Sequence, residues 1–179
     1  TNTNTNCIKS HSIATAGCNF SCLHCQNASI SQVSSQRDLQ QPGGIRKPGE
    51  IVDGAVAAGC LSISYTYVEP TVFFEFAYDC CLEARQRGLY NIFVSNGYMS
   101  AEIVQRLRSV LTAINIDLKS YNNDFYRKVC GASLQPVLDN IRLFRESGVW
   151  LEVTTLLIPG MNDSDEELGQ IAAFLASVD

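Results

Sequence analysis

Short β-branched apolar runs alternate with longer stretches of helical periodicity along almost the whole of this 179-residue chain. The runs are SIAT (12–15), LSISYT (61–66), NIFVS (91–95), AINIDL (113–118) and WLEVTTLLI (150–158), and each has the composition of a buried strand. The segments GEIVDGAVAAG, TVFFEFAYDCCLEARQRG, SAEIVQRLRSVL, SLQPVLDNIRLFRESG and SDEELGQIAAFLAS place apolar residues at helical spacing. Gly59, Gly88 and Gly148 are positioned to close three of these helices, and Ser164 with Glu167 forms a capping-box pattern opening the last. Strict βα alternation predicts an α/β fold with a parallel sheet and helices outside it. In such folds chemistry collects at the carboxyl ends of the strands, whether the sheet is closed or open.

The length suits one well-buried core. Hydrophobic residues make up 46% and charged residues 17%, which excludes a disordered or fibrous chain. The net charge of −5 comes from scattered residues, so neither nucleic acid nor an anionic membrane is indicated as a partner. No 18-residue apolar run and no signal peptide are visible, and the cytoplasm is the default compartment. The polar TNTNTN opening sets residues 1–10 aside as a flexible or expression-derived N-terminus, leaving 11–179 as the core. Eight cysteines in a chain of this size without an export signal are expected to be reduced thiols. Cys7, Cys60, Cys80, Cys81 and Cys130 sit among apolar or helical neighbours and read as structural.

The other three, Cys18, Cys22 and Cys25, fall in AGCNFSCLHCQNASIS at C-x3-C-x2-C. A loop this short can turn all three sulfurs toward one point. A [4Fe–4S] cube ordinarily takes four cysteines, so three leave one iron with an open position for a substrate or cofactor. Two other readings are a zinc knot recruiting His24 and an iron–sulfur electron carrier. Structural zinc usually joins two separated ligand clusters, and His11 is the only other histidine. A non-catalytic zinc or iron–sulfur module remains the alternative of a different class.

C-x3-C-x2-C after the first strand resembles the signature of the radical S-adenosylmethionine (SAM) enzymes, and further segments agree in order. TYVEP (66–70) resembles the family's glycine-rich G-G-E-P loop, with Tyr67 and Val68 in place of the two glycines. SNGY (95–98), IDLKSYN (116–122) and IPGMND (158–163) are similar to segments of pyruvate formate-lyase activating enzymes. CNFSCLHCQN, YTYVEPT, FYRKVCGASLQPVLDNI and LLIPGMND resemble, almost continuously, the radical SAM member of the AmmeMemoRadiSam group.

The resemblance implies a partial (β/α) TIM-like barrel and a [4Fe–4S] cluster held by Cys18, Cys22 and Cys25. The open iron would chelate the amino and carboxylate groups of SAM, and an electron would then release a 5′-deoxyadenosyl radical that abstracts hydrogen. It further implies that the Tyr67–Glu69 backbone meets the methionyl amino group and that Ser95 and Asn96 line the ribose. Lys119 would pair with the SAM carboxylate, with Asp117 beside the cofactor or a monovalent cation, although Val94 stands where the activating enzymes carry an acid. His24 would pack against the adenine. Each also has an ordinary reading: Glu69 before Pro70 as a strand-end turn, SNG as a generic turn, Asp117 and Lys119 as a solvated pair. Implied partners are an electron donor such as flavodoxin or ferredoxin, and either a glycyl radical enzyme or Memo-like and AMMECR-type proteins. The family's usual six strands against five here lead us to expect a C-terminally truncated barrel whose last strand has an unpaired edge that a longer chain would cover.

Overall fold

The computed structural model describes residues 8–33 and 46–178. Cys7 and the TNTNTN repeat lie outside the described residues. Five parallel strands form one sheet in the order β1-β2-β3-β4-β5: β1 (Ser10–Ile13), β2 (Ser62–Tyr65), β3 (Tyr90–Ser95), β4 (Ala113–Asp117) and β5 (Trp150–Thr154). Sequential neighbours in a parallel sheet require a crossover after every strand, so all the loops at the carboxyl ends open on the same side. This is the α/β architecture of a partial barrel, with β1 and β5 at its two edges.

The helices are α1 (Ala28–Ser31), α2 (Pro48–Ala57), α3 (Phe74–Gln86), α4 (Ala101–Leu107), α5 (Asn123–Phe125), α6 (Gln135–Ser147) and α7 (Asp165–Val178). A 3-10 turn (Pro70–Phe73) leads into α3, and a π turn (Tyr126–Cys130) continues α5. Gly59, Gly88 and Gly148 follow α2, α3 and α6 with positive φ, where the sequence placed the helix ends. The helices pack α2 on α3, α4 on α6 and α6 on α7. Among the described residues no helix is long and apolar enough to cross a membrane.

Two strands differ from the sequence expectation. β1 begins two residues earlier than SIAT and stops at Ile13, which registers with Tyr65; Ala14 and Thr15 already belong to the loop carrying the cysteines. WLEVTTLLI is a strand only through Thr154. Beyond it Asn162 folds the chain back, accepting from the Ile158 amide at 2.7 Å while donating to the carbonyls of Lys119 at 2.8 Å and Leu156 at 2.9 Å. The short helix α1, and α5 with its π turn, have too few residues to show a period.

The core joins strand and helix faces through Ile63, Tyr65, Phe93, Ile114 and Ile116, all 1% exposed or less. Its one fully buried amide, Asn91, is satisfied on both ends: it donates to the carbonyls of Cys81 and Val110 and accepts from the Tyr65 hydroxyl at 3.3 Å. Cys80 and Cys81 are buried beside it, and burial pushes both thiols up to about 12, which makes them inert packing residues. In the aromatic run after Pro70, Phe74 is buried, and Arg106 lies 5.2 Å over its ring and 4.7 Å over that of Tyr78.

Gly97 ends the β3 loop at φ 72°, and a Cβ there would stand 2.8 Å from Ile116 Cγ2 and 3.3 Å from Val137 Cγ1. Gly97→Ala therefore combines left-handed strain with overpacking and is expected to lower stability by about 2–4 kcal/mol, read from the midpoint of denaturant unfolding.

Candidate functional site

The loop between β1 and α1 carries Cys18, Cys22 and Cys25 and is fixed at both ends and in the middle. The Gly17 amide donates to the Ile30 carbonyl at 2.8 Å. The Ser21 and Leu23 amides donate to the carbonyls of Cys130 and Val129, each at 2.9 Å, so Cys22 is clamped against the π turn from both sides. Gly131 allows this approach: it has φ 70°, and a Cβ there would stand 2.3 Å from Ser21 Oγ. Gln32 Nε2 donates to the Cys22 carbonyl at 3.0 Å, and Asn27 Nδ2 reaches the Tyr67 carbonyl of the β2 loop at 2.7 Å.

One cavity of about 290 Å³ opens at the carboxyl ends of the strands, and all ten residues singled out in the sequence line it: Cys18, Cys22, His24, Cys25, Tyr67, Glu69, Ser95, Asn96, Asp117 and Lys119. Two larger hollows, of about 620 and 700 Å³, lie elsewhere. One is among the charged residues of α2 and α3, the other between Trp150 and α7, and no cysteine lines either.

Within the cavity the residues do different work. Glu69 is buried, and its carboxylate accepts from the Thr71 amide at 3.1 Å, the Thr71 hydroxyl at 2.9 Å, the Ser95 hydroxyl at 2.9 Å and the Asn96 amide at 2.8 Å. Burial pushes its pKa up and these donors pull it back. The side chain is thus committed to joining the β2 and β3 loops. Tyr67 adopts φ 69°, the left-handed conformation that suits a glycine, with its ring exposed. Asn96 Nδ2 bonds Asn19 Oδ1 at 2.7 Å and lies 3.7 Å from Cys18 Sγ.

Lys119 Nζ meets Asp117 Oδ2 at 2.6 Å, so a monovalent cation at Asp117 would compete with Lys119, and Val94 brings no carboxylate to the same lining. The backbone around Lys119 is held from three directions. Its amide donates to the Tyr126 hydroxyl at 3.0 Å, its carbonyl accepts from Asn162, and Glu167 accepts from the Ser120 hydroxyl and, at 2.9 Å, the Tyr121 amide. That last contact corrects the capping-box expectation. Ser164 does cap the Glu167 amide at 3.2 Å, but the Glu167 side chain leaves its helix to brace the β4 loop. Asn162, Tyr126 and Glu167 carried no short-range signal of this role.

Three thiols lining one cavity are a donor set of the kind that holds an iron–sulfur cluster. Among the described residues no group of three His, Cys, Asp or Glu side chains is placed to hold a single metal ion. The Cys130 thiol, hydrogen-bonded to Cys22, brings Cys22 down to about 7 against the opposing effect of burial, with Lys119 assisting. Burial raises Cys18. His24 Nδ1 is buried and has no hydrogen-bond partner among the described residues, its ring lies 6.0 Å from that of Phe125, and burial lowers its pKa.

The radical SAM superfamily model matches residues 12–175. This chain belongs to the radical SAM superfamily. An uncharacterized protein of Methanocaldococcus jannaschii is 45% identical over 164 residues, covering 92% of this chain and 47% of that protein. The chain thus spans about half that relative's length. A solved domain of a pyruvate-formate lyase-activating enzyme from Bacteroides vulgatus is 25% identical, with a TM-score of 0.61 over 65% of this chain and 72% of that one. Streptococcus suis SuiB, solved bound to S-adenosylmethionine, superposes with a TM-score of 0.73 over 96% of this chain and 38% of its own at 13% identity, a likeness of fold. Other relatives are activating enzymes of the pyruvate formate-lyase and glycyl-radical type.

In this radical SAM core the β2 and β3 loops depend on Glu69, so Glu69→Gln, which puts an amide donor among four donors, is expected to lower stability by about 1–3 kcal/mol in denaturant unfolding. Tyr67→Gly should act in the opposite direction, relieving left-handed strain worth about 1–2 kcal/mol less the added freedom of the unfolded chain, so a small gain is expected by the same measurement.

Proposed function

We propose that residues 11–179 form the cofactor-binding core of a radical SAM enzyme, with Cys18, Cys22 and Cys25 as the three protein ligands of a [4Fe–4S] cluster and SAM in the adjoining cavity. The observation that supports this reading is the meeting of three thiols, the Lys119 ammonium and the β2 and β3 loops in one cavity at the strand ends. Once bound, the cluster and SAM together supply a 5′-deoxyadenosyl radical for hydrogen abstraction.

The chain's own residues bind and orient. Three thiolates leave one cluster position to the cofactor. Lys119, held on Asp117, offers a point charge that a carboxylate can share without a fork geometry. The loop from Thr66 to Glu69 presents its backbone to the methionyl amino group. Ser95 and Asn96 stand on the ribose side, with Ser95 fixed by Glu69. His24 offers a half-buried ring face to the adenine. The electron comes from a donor of the flavodoxin or ferredoxin type.

For the substrate, the names of the relatives favour a protein partner, a glycyl radical enzyme, on which hydrogen abstraction would leave a backbone radical. Memo-like and AMMECR-type proteins are the partners of the competing reading that the sequence wording supports. Deuterium transfer into 5′-deoxyadenosine from one candidate partner and not the other separates them.

Anaerobic reconstitution should load about four irons and four sulfides and support reductive cleavage of SAM to 5′-deoxyadenosine. Cys18→Ala, Cys22→Ala or Cys25→Ala should each abolish both. Lys119→Met should load normally but bind SAM about tenfold or more weakly, as expected for one lost charge-assisted contact. Stoichiometric zinc without iron after careful reconstitution would sink the reading, and unchanged SAM affinity in Lys119→Met would remove Lys119 from it.

A further inference from the structure

Two of the three cysteine sulfurs have a side-chain hydrogen-bonding partner, a thiol is held behind the third, and these three neighbours come from three different parts of the fold. Cys25 Sγ lies 3.1 Å from Ser31 Oγ on α1. Asn96 Nδ2, at the end of β3, lies 3.7 Å from Cys18 Sγ. Cys130, the last residue of the π turn, is held against Cys22 by the backbone bonds from Ser21 to Cys130 and from Leu23 to Val129. Cys130 is fully buried and Ser31 is 7% exposed, so water does not compete freely at either position. Cys130 does not line the cavity, and therefore stands behind Cys22 and not beside it as a fourth ligand.

Once a cysteine is a metal-bound thiolate it has no proton to give, and its neighbour must be the donor. Ser31, Asn96 and Cys130 then each direct one O–H, N–H or S–H at a ligand sulfur. Reduction adds negative charge to an iron–sulfur centre, and donors to its sulfurs stabilise the more negative state, which raises the reduction potential. A low effective dielectric around Cys130 and Ser31 strengthens the effect.

Resting on the cluster assignment proposed above, we infer that Ser31 and Cys130, together with Asn96, are positioning residues that set the reduction potential of the cluster by donating one hydrogen bond to each cysteine sulfur. None of the three touches the reacting atoms in this role. They orient the thiolates and keep the reduced state within reach of a biological electron donor. The π turn acquires a purpose in the same step, since the extra residue it accommodates brings Cys130 behind Cys22.

The test is a redox titration of the anaerobically reconstituted chain, followed by electron paramagnetic resonance, with iron and sulfide counted in each sample. Ser31→Ala and Cys130→Val remove a donor with little change in side-chain volume, and both are expected to shift the midpoint to more negative potential while iron content stays at the parent level. Cys130→Ser keeps a donor and should stay closer to the parent than Cys130→Val does. If Cys130→Val fails to load iron, Ser31→Ala alone still decides the outcome. Loaded Ser31→Ala with an unmoved midpoint, or equal midpoints for loaded Cys130→Ser and Cys130→Val, would overturn the inference while leaving the cluster assignment standing. A parent chain that takes up no [4Fe–4S] cluster would bring down both, and iron content distinguishes the two failures.

Discussion

The buried carboxylate of Glu69 is the interaction on which the cavity depends. Parallel strands deliver their loops to one side, but nothing in the sheet itself fixes those loops relative to one another. Glu69 does so for two of them, collecting donors from the turn after β2 and from Ser95 and Asn96 at the end of β3. A neutral group could not satisfy four donors at once, and a charged one is tolerable there only because all four are present. The cysteine loop is tied to this pair, and the β4 loop is held separately. Asn27 links the cysteine loop to Tyr67, Asn96 links it to β3 through Asn19, and the β4 loop is braced from α7.

The parts of the fold legible in the sequence were those set by local chemistry. β-Branched runs marked the five strands, and glycines marked three helix ends, because strand propensity and left-handed φ act at the residue itself. The spacing of Cys18, Cys22 and Cys25 singled out the cavity wall, and the segments around Glu69, Ser95 and Lys119 supplied the rest of the lining. What stayed hidden was set by distant partners. WLEVTTLLI has strand composition to its end, but Asn162 turns it aside after Thr154. Glu167 has the right spacing for a capping box, and its carboxylate is drawn away by Ser120 and Tyr121. Cys130 read as a small core residue, which describes its burial but not the neighbour its thiol faces.

Tyr67 shows a third kind of case, in which an aromatic residue takes up a backbone conformation that suits glycine. The sequence has an aromatic residue where the resembling motif has glycine, and this residue adopts the left-handed conformation, which the Asn27 amide on the Tyr67 carbonyl helps to hold. Sparsely populated backbone of this kind persists where the surroundings over-determine it, as at a cavity rim.

The docking of the cysteine loop on the π turn has a consequence for the order of events during synthesis. Ser21 and Leu23 find their carbonyl partners only at Cys130 and Val129, across more than half the chain. Contacts of such separation form late, since the intervening chain must be made and the sheet at least partly assembled before they are rewarded. Until the ribosome has passed Gly131, the three thiols therefore lack the π turn that clamps Cys22 and are arranged only by local bonds such as Gly17 to Ile30 and Gln32 to Cys22. A ligand that arrived during synthesis would meet a half-built cavity, whereas one arriving afterwards would meet a shaped one, so the architecture favours late occupation of whatever group the cysteine loop holds.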